Sequence, residues 1–243
     1  MAANGSVILK FSDGTVSYLR NVITYDQETE ILTDASGLVN QAGGLSAGQA
    51  NQGKLLVAAC AKVMNDTTAT GQMLYCSIVG VNGSIIGSIQ GGGATMAGMP
   101  MLKQPIRMQT GVKINIFGQL SSGAVQYGAV SLYCASGKVD IFRGLAIDDT
   151  DVPMLSVVSG STIGESLVGQ RVLCNMAVYG GDVGITDTGI ADGVNAFFAE
   201  DAQGQLKQMM FASTGSTSAL PTQWVEDTMT IVQNDTLTLR ANV

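Results

Sequence analysis

The densest group of reactive side chains in this sequence is the run Asp148-Asp149-Thr150-Asp151, three carboxylates in four residues. Hard cations such as Ca²⁺ draw several oxygens from a flexible loop, so the run is a candidate cation site. Read without a metal, it is a solvated acidic loop. A second set, Asp182, Asp187 and Asp192, recurs at intervals of five in the glycine-flanked segment GGDVGITDTGIADG. It fits neither the nonapeptide period of calcium-loaded glycine-aspartate repeats nor the EF-hand spacing, and it stands only as a second calcium candidate. No other cofactor is expected.

The remaining residue chemistry excludes more than it offers. There is no histidine, which removes the usual neutral-pH proton shuttle and the Ser-His and Cys-His nucleophile pairs. Cys60, Cys76, Cys134 and Cys174 form no CxxC pair, and each lies in an apolar segment, as expected for reduced thiols packed as small hydrophobes. Gly91-Gly92-Gly93 is followed by no Lys-Ser/Thr, so the phosphate-loop reading fails. Four Asn-x-Ser/Thr triplets begin at Asn4, Asn65, Asn82 and Asn234. Without a secretory route they are incidental, and Asn82-Gly83 is better explained as a turn. No serine has an evident base, and the chain is expected not to be an enzyme.

The elements that must carry these residues read as β. Alternation of apolar and polar residues marks 112–116, 130–133 and 236–240, with short apolar runs at 55–63, 73–81 and 172–179. The pairs Asp13-Gly14, Asn82-Gly83 and Ser136-Gly137 fall between such runs, as hairpin turns require. Residues 40–53 and 91–100 are small, polar and glycine-rich, and read as loops. No stretch of ten or more residues has helical periodicity.

Compared with itself, the chain shows three blocks of similarity in the same order. Residues 6–22 lie over 129–145 at an offset of 123, with Val7/Val130, Leu9/Leu132, Gly14/Gly137, Val16/Val139 and Arg20/Arg143 identical. Residues 73–100 lie over 194–221 at an offset of 121, bringing Gly83 onto Gly204 and Pro100 onto Pro221. Residues 106–114 lie over 231–239 at an offset of 125. The expectation is an all-β chain of two tandem antiparallel sandwich or jelly-roll-like domains, 1–122 and 123–243, related by internal duplication.

Composition bears on partners. Only 13% of the 243 residues are charged while 46% are hydrophobic, against an ordinary charged share of about 25%. That is too little solvating charge for a lone soluble monomer. The net charge is −7, which offers no basic footprint for a phosphate backbone, and no sequence-specific nucleic-acid binding is expected. The charge is divided unequally: residues 1–121 carry seven Lys/Arg and six Asp/Glu, residues 122–243 five and thirteen. Twelve methionines include Met99, Met101 and Met108 around Pro100 and Pro105, and Met209-Met210 in the corresponding part of the other half. They suit either an irregular core or an adaptable interface. Trp224, the only tryptophan, reads as a core residue. The N-terminal segment lacks the pattern of a signal peptide, and the longest apolar run, 55–61, is far short of the ~20 residues of a membrane span. Synthesis in a cytoplasm is expected.

A His-free, Gly-rich chain with two β halves of unlike charge resembles the double jelly-roll major capsid proteins of tailless icosahedral viruses. The likeness spans the whole chain as architecture and rests on no diagnostic motif. It implies a virion structural protein whose chains form pseudo-hexagonal homotrimers that tile a shell. The implied partners are further copies of itself, other virion proteins and, in that family, an internal membrane; the implied location is the virion. The hairpin turns equally suit a phage tail-tube β-barrel, where duplicated chains build pseudo-hexameric rings. A tandem carbohydrate-binding or adhesin module is a further alternative, although six Tyr, six Phe and one Trp supply few sugar platforms.

Overall fold

The computed structural model describes residues 2–33, 44–64, 71–89, 99, 101–120, 125–147, 151–181, 194–214, 225–226 and 229–240. The chain divides into two compact units, Met1–Leu120 and Ser121–Val243. Each is an antiparallel β-sandwich.

In the first unit, one sheet contains β1 (Ala2–Phe11), β2 (Val16–Thr24), β4 (Leu32–Thr33), β5 (Leu55–Met64) and β8 (Met101–Arg107), in the order β4-β2-β1-β5-β8. The other contains β3 (Glu28–Glu30), β6 (Gly71–Val79), β7 (Ile85–Ile89) and β9 (Lys113–Leu120), in the order β3-β9-β6-β7. Period-2 alternation sends Val7, Leu9 and Phe11 of β1 inward, where they meet Ile78, Ile114 and Ile116 of the facing sheet in one buried cluster. Between β3 and β4 the chain changes sheets at Ile31, whose N–H donates to the Ile114 carbonyl at 2.8 Å.

The second unit repeats this plan strand for strand. Its sheets contain β10 (Val125–Cys134), β11 (Val139–Ile147), β13 (Leu155–Ser156), β14 (Val172–Gly181) and β17 (Val225–Glu226), ordered β13-β11-β10-β14-β17, and β12 (Asp151–Pro153), β15 (Val194–Glu200), β16 (Leu206–Thr214) and β18 (Thr236–Arg240), ordered β12-β18-β15-β16. Val130, Leu132 and Phe142 meet Phe197, Leu237 and Leu239 in its core. Registers correspond as well. Val7 pairs with Leu19 and Val130 with Phe142, and the same bulge falls at Lys10/Phe11 and at Tyr133/Cys134.

These registers correct the third self-alignment block. The Met154 N–H donates to the Leu237 carbonyl as that of Ile31 does to Ile114, which fixes the offset there at 123 rather than 125. Residues 40–53 also differ from the expected loop. They contain α1 (Ala47–Ala50), matched in the second unit by α2 (Ile163–Ser166). So short a helix has no apolar stripe to read, and what starts it is local. The Ser46 N–H donates to Gln49 Oε1 at 3.0 Å, and the Thr162 N–H to Glu165 Oε2 at 3.0 Å, the return half of a capping box. Each helix is pressed onto the strand entry by a glycine. Gly48 donates to Val112 O at 2.9 Å and Gly164 to Asp235 O at 3.0 Å.

One turn serves the four long hairpins among the described residues. In each, a glycine N–H donates to the carbonyl three residues back, as Gly14 does to Phe11 at 3.0 Å and Gly137 to Cys134 at 2.9 Å. Gly14, Gly83, Gly137 and Gly204 have φ of +83°, +82°, +84° and +74°, the left-handed position of a type I turn closed by a bulge. Asp13 Oδ1 accepts from the Thr15 N–H at 2.9 Å and hydroxyl at 2.7 Å, and these bonds hold its carboxyl below the usual carboxylate range. Asn82 bonds Ser84 in the same way, so this Asn-x-Ser triplet is a turn.

Candidate functional site

Of the calcium candidates, Asp148, Asp149, Asp182, Asp187 and Asp192 lie outside the described residues. Asp151 is exposed at the start of β12, paired in register with Arg240 of β18. Among the described residues, no three His, Cys, Asp or Glu side chains come together as metal ligands would. Trp224 and Gly91 to Gly93 also lie outside the described residues.

All four cysteines are free thiols; Cys76, Cys134 and Cys174 are buried, while Cys60 is half-buried rather than packed in the core. Burial pushes the Cys134 thiol up to about 11, with Lys138 opposing and Asp140 assisting the shift. Burial raises Cys76 further, with Glu28 and Cys60 adding to it. Neutral, enclosed thiols of this kind are poor nucleophiles.

Two buried carboxylates, neither singled out by the sequence, organise the second unit. Asp140 Oδ1 accepts from the Ile141 N–H at 2.8 Å and the Ser156 hydroxyl at 2.9 Å, and its Oδ2 accepts from the Ser166 hydroxyl. These bonds tie β11, β13 and the end of α2 together. Asp235 is 1% exposed, and its Oδ2 accepts from Lys207 Nζ at 2.5 Å and the Val232 N–H at 2.7 Å. Lys207 also donates to the Thr230 carbonyl at 3.0 Å. The pair fastens the segment entering β18 to β16.

The corresponding positions of the first unit are Ile86 and Val112, by the offsets of 121 and 123. Instead of an ion pair, an open groove of about 660 Å³ lies there. Ile86, Ile106, Val112 and Val81 give it an apolar lining, with Gln104 and Arg107 beside them. It runs where β7 and β8, each the edge of its sheet, approach one another. Arg107 is engaged, donating to the Gly53 carbonyl at 2.7 Å, and the lining holds no carboxylate or thiol. Such a groove can accept apolar side chains but supplies no proton transfer. Met101, named with the methionine cluster, is 66% exposed on β8, whereas Met108 is 1% exposed in the core.

The described residues also expose large apolar side chains, including Val16 at 60%, Tyr18 at 50% and Leu206 at 61%. The groove and these side chains leave apolar surface open to solvent. Comparison with protein families, curated proteins and solved structures finds no match to this chain.

Proposed function

We propose that this chain is a structural subunit of a virion, built to self-assemble into a capsid shell, with three two-unit chains imitating a six-fold ring. The observation that carries the reading is the pairing of two sandwiches of one strand order with charges that differ by half, seven Lys/Arg against six Asp/Glu in residues 1–121 and five against thirteen in 122–243. Matching folds give quasi-equivalent shapes, and unlike charge lets one half meet the other around a closed ring. Descent of both halves from one duplicated unit would account for the correspondence. The exposed Val16, Met101 and Leu206 and the sparse surface charge suit a chain whose exterior is covered by neighbours. On this reading its partners are further copies of itself, other virion components and an underlying membrane, and it resides in the virion.

The second reading is a tail-tube protein. It is favoured by the local hairpins β1–β2 and β6–β7, in which consecutive strands stay in one sheet. Electron microscopy of the purified full-length chain separates the two. Closed shells or hexagonal sheets support the capsid, and stacked rings or tubes the tail. Dispersed single chains together with strong binding on a glycan array would favour the carbohydrate-binding module and refute both.

A further inference from the structure

The charge of the first unit is not spread over it but sorted between its sheets. The strands β4, β2, β1, β5 and β8 contain Lys10, Arg20, Lys62, Lys103 and Arg107 and no Asp or Glu. Five of the chain's 12 Lys/Arg therefore lie in one sheet. The unit's described acids sit elsewhere: Glu28 and Glu30 belong to the facing sheet, and Asp13 and Asp26 to turns.

The register places most of these cations on one surface. Because Val7, Leu9 and Phe11 point into the core, their neighbours Ser6, Ile8 and Lys10 point away from it. Across the sheet, Ser6 pairs with Arg20 and Lys62, Ile8 with Tyr18 and Cys60, and Lys10 with Val16 and Ala58. Ala58 continues that last row to Met101. Leu102 packs against the core, so Lys103 stands on the outer side with Met101. The outer face thus carries Lys10, Arg20, Lys62 and Lys103 around Tyr18, Val16 and Met101, which are 50%, 60% and 66% exposed. Among the described residues, Lys10, Lys62 and Lys103 have no ion-pair partner. At the corresponding positions of the second unit, Arg20 becomes Arg143, but Lys10 becomes Tyr133 and Lys62 becomes Val178. The cationic face is particular to the first unit.

We infer that this face is a docking surface, and that its occupant is the acidic second half of another copy of the chain. The inference rests on the assembly reading and names the surface that reading uses. Its warrant is charge complementarity. A cationic, aromatic-bearing face selects an acidic partner, and residues 122–243 carry thirteen Asp/Glu against five Lys/Arg. The apolar side chains between the lysines supply buried area, and the lysines supply register and sign.

The test uses the full-length chain at low ionic strength. Tyr18 is replaced by the photo-crosslinker p-benzoylphenylalanine in a mixture of isotopically light and heavy copies, and captured peptides are identified by mass spectrometry. Light–heavy crosslinks to residues 122–243 are expected. In parallel, Lys10→Glu/Lys62→Glu/Lys103→Glu should weaken self-association about tenfold or more, and the milder Lys10→Gln/Lys62→Gln/Lys103→Gln by less, both with wild-type circular dichroism. If the wild type assembles, the charge-reversed chain assembles equally well and crosslinks land in residues 1–121, this face is refuted while the assembly reading stands. If the wild type stays monomeric at every ionic strength, both fall. Binding of a single-stranded oligonucleotide that charge reversal abolishes, without light–heavy crosslinks, would assign the face to nucleic acid and overturn the inference.

Discussion

Replacing the buried ion pair of the second unit by its counterpart from the first is the sharpest test of the correspondence between them. Lys207 and Asp235 lie where the first unit has Ile86 and Val112, and their side chains are 22% and 2% exposed. Lys207→Ile alone leaves the Asp235 carboxylate enclosed with the Val232 N–H as its remaining described donor. Removing one partner of a buried pair strands an uncompensated charge, so a loss of about 3 kcal/mol is expected. Asp235→Val alone should cost less, about 2 kcal/mol, because the more exposed Lys207 ammonium can turn toward water. The double variant Lys207→Ile/Asp235→Val strands no charge and restores a pairing the same fold already uses. Its main loss is the acceptor for the Val232 N–H, and Val232 is 56% exposed, so water can replace it; the total should stay within about 2 kcal/mol. The resulting coupling energy is about 3 kcal/mol. Urea unfolding of all four chains, followed by circular dichroism with a common slope, measures it. If the two single effects simply add, the buried pair is not the energetic unit described here and the positional equivalence loses its support.

Two further outcomes are expected of the isolated chain. Ala normally improves a helical Gly by up to about 1 kcal/mol, but a Cβ at Gly48 would lie 1.9 Å from the Gln109 carbonyl oxygen, and one at Gly164 2.5 Å from the Asp235 nitrogen. Gly48→Ala and Gly164→Ala should therefore each destabilise by about 2 kcal/mol or more, and an unchanged or raised melting temperature would contradict the helix docking. Because burial holds the Cys134 thiol at about 11 against an ordinary 9.0, its contribution to stability is complete below about pH 9 and is lost as the pH rises through about 11, on the order of 2 kcal/mol. Tyr25 and Tyr133 shift in the same direction, so the Cys134 share is isolated by comparing the alkaline slope of Cys134→Ala with wild type; identical slopes would place that thiol in water.

Much of the fold was written in local signals. Asp13-Gly14, Asn82-Gly83 and Ser136-Gly137 each mark a real hairpin, because a residue at φ near +80° is cheap only for glycine. The fourth turn, at Gln203-Gly204, was visible only through its alignment with Asn82-Gly83. The short helices were missed for want of periodicity, although Ser46 and Gln49 carried the spacing of a capping box. The correspondence of β5 with β14 escaped comparison because its offset is 116: the connection from β4 to the helix is seven residues longer in the first unit, moving this block away from the others. The cationic face was hidden for a topological reason. Asp26, Glu28 and Glu30 follow β2 closely in sequence and offset its Arg20 in any window, yet the crossover between β2 and β3 carries Glu28 and Glu30 into the facing sheet. Charge segregation of that kind exists only after strands are paired. The buried partners of Asp140 and Asp235 were likewise unreadable, since Ser156, Ser166 and Lys207 lie 16, 26 and 28 residues away along the chain.

The central claim, that the chain works as an assembled tile, is tested most directly by sedimentation velocity of the full-length protein across a salt series, with electron microscopy of each species. Self-association into trimers and larger rings or shells at low salt, dissociating as salt screens the unlike halves, is the expected result. A single 25.1 kDa species at every concentration and ionic strength would contradict it.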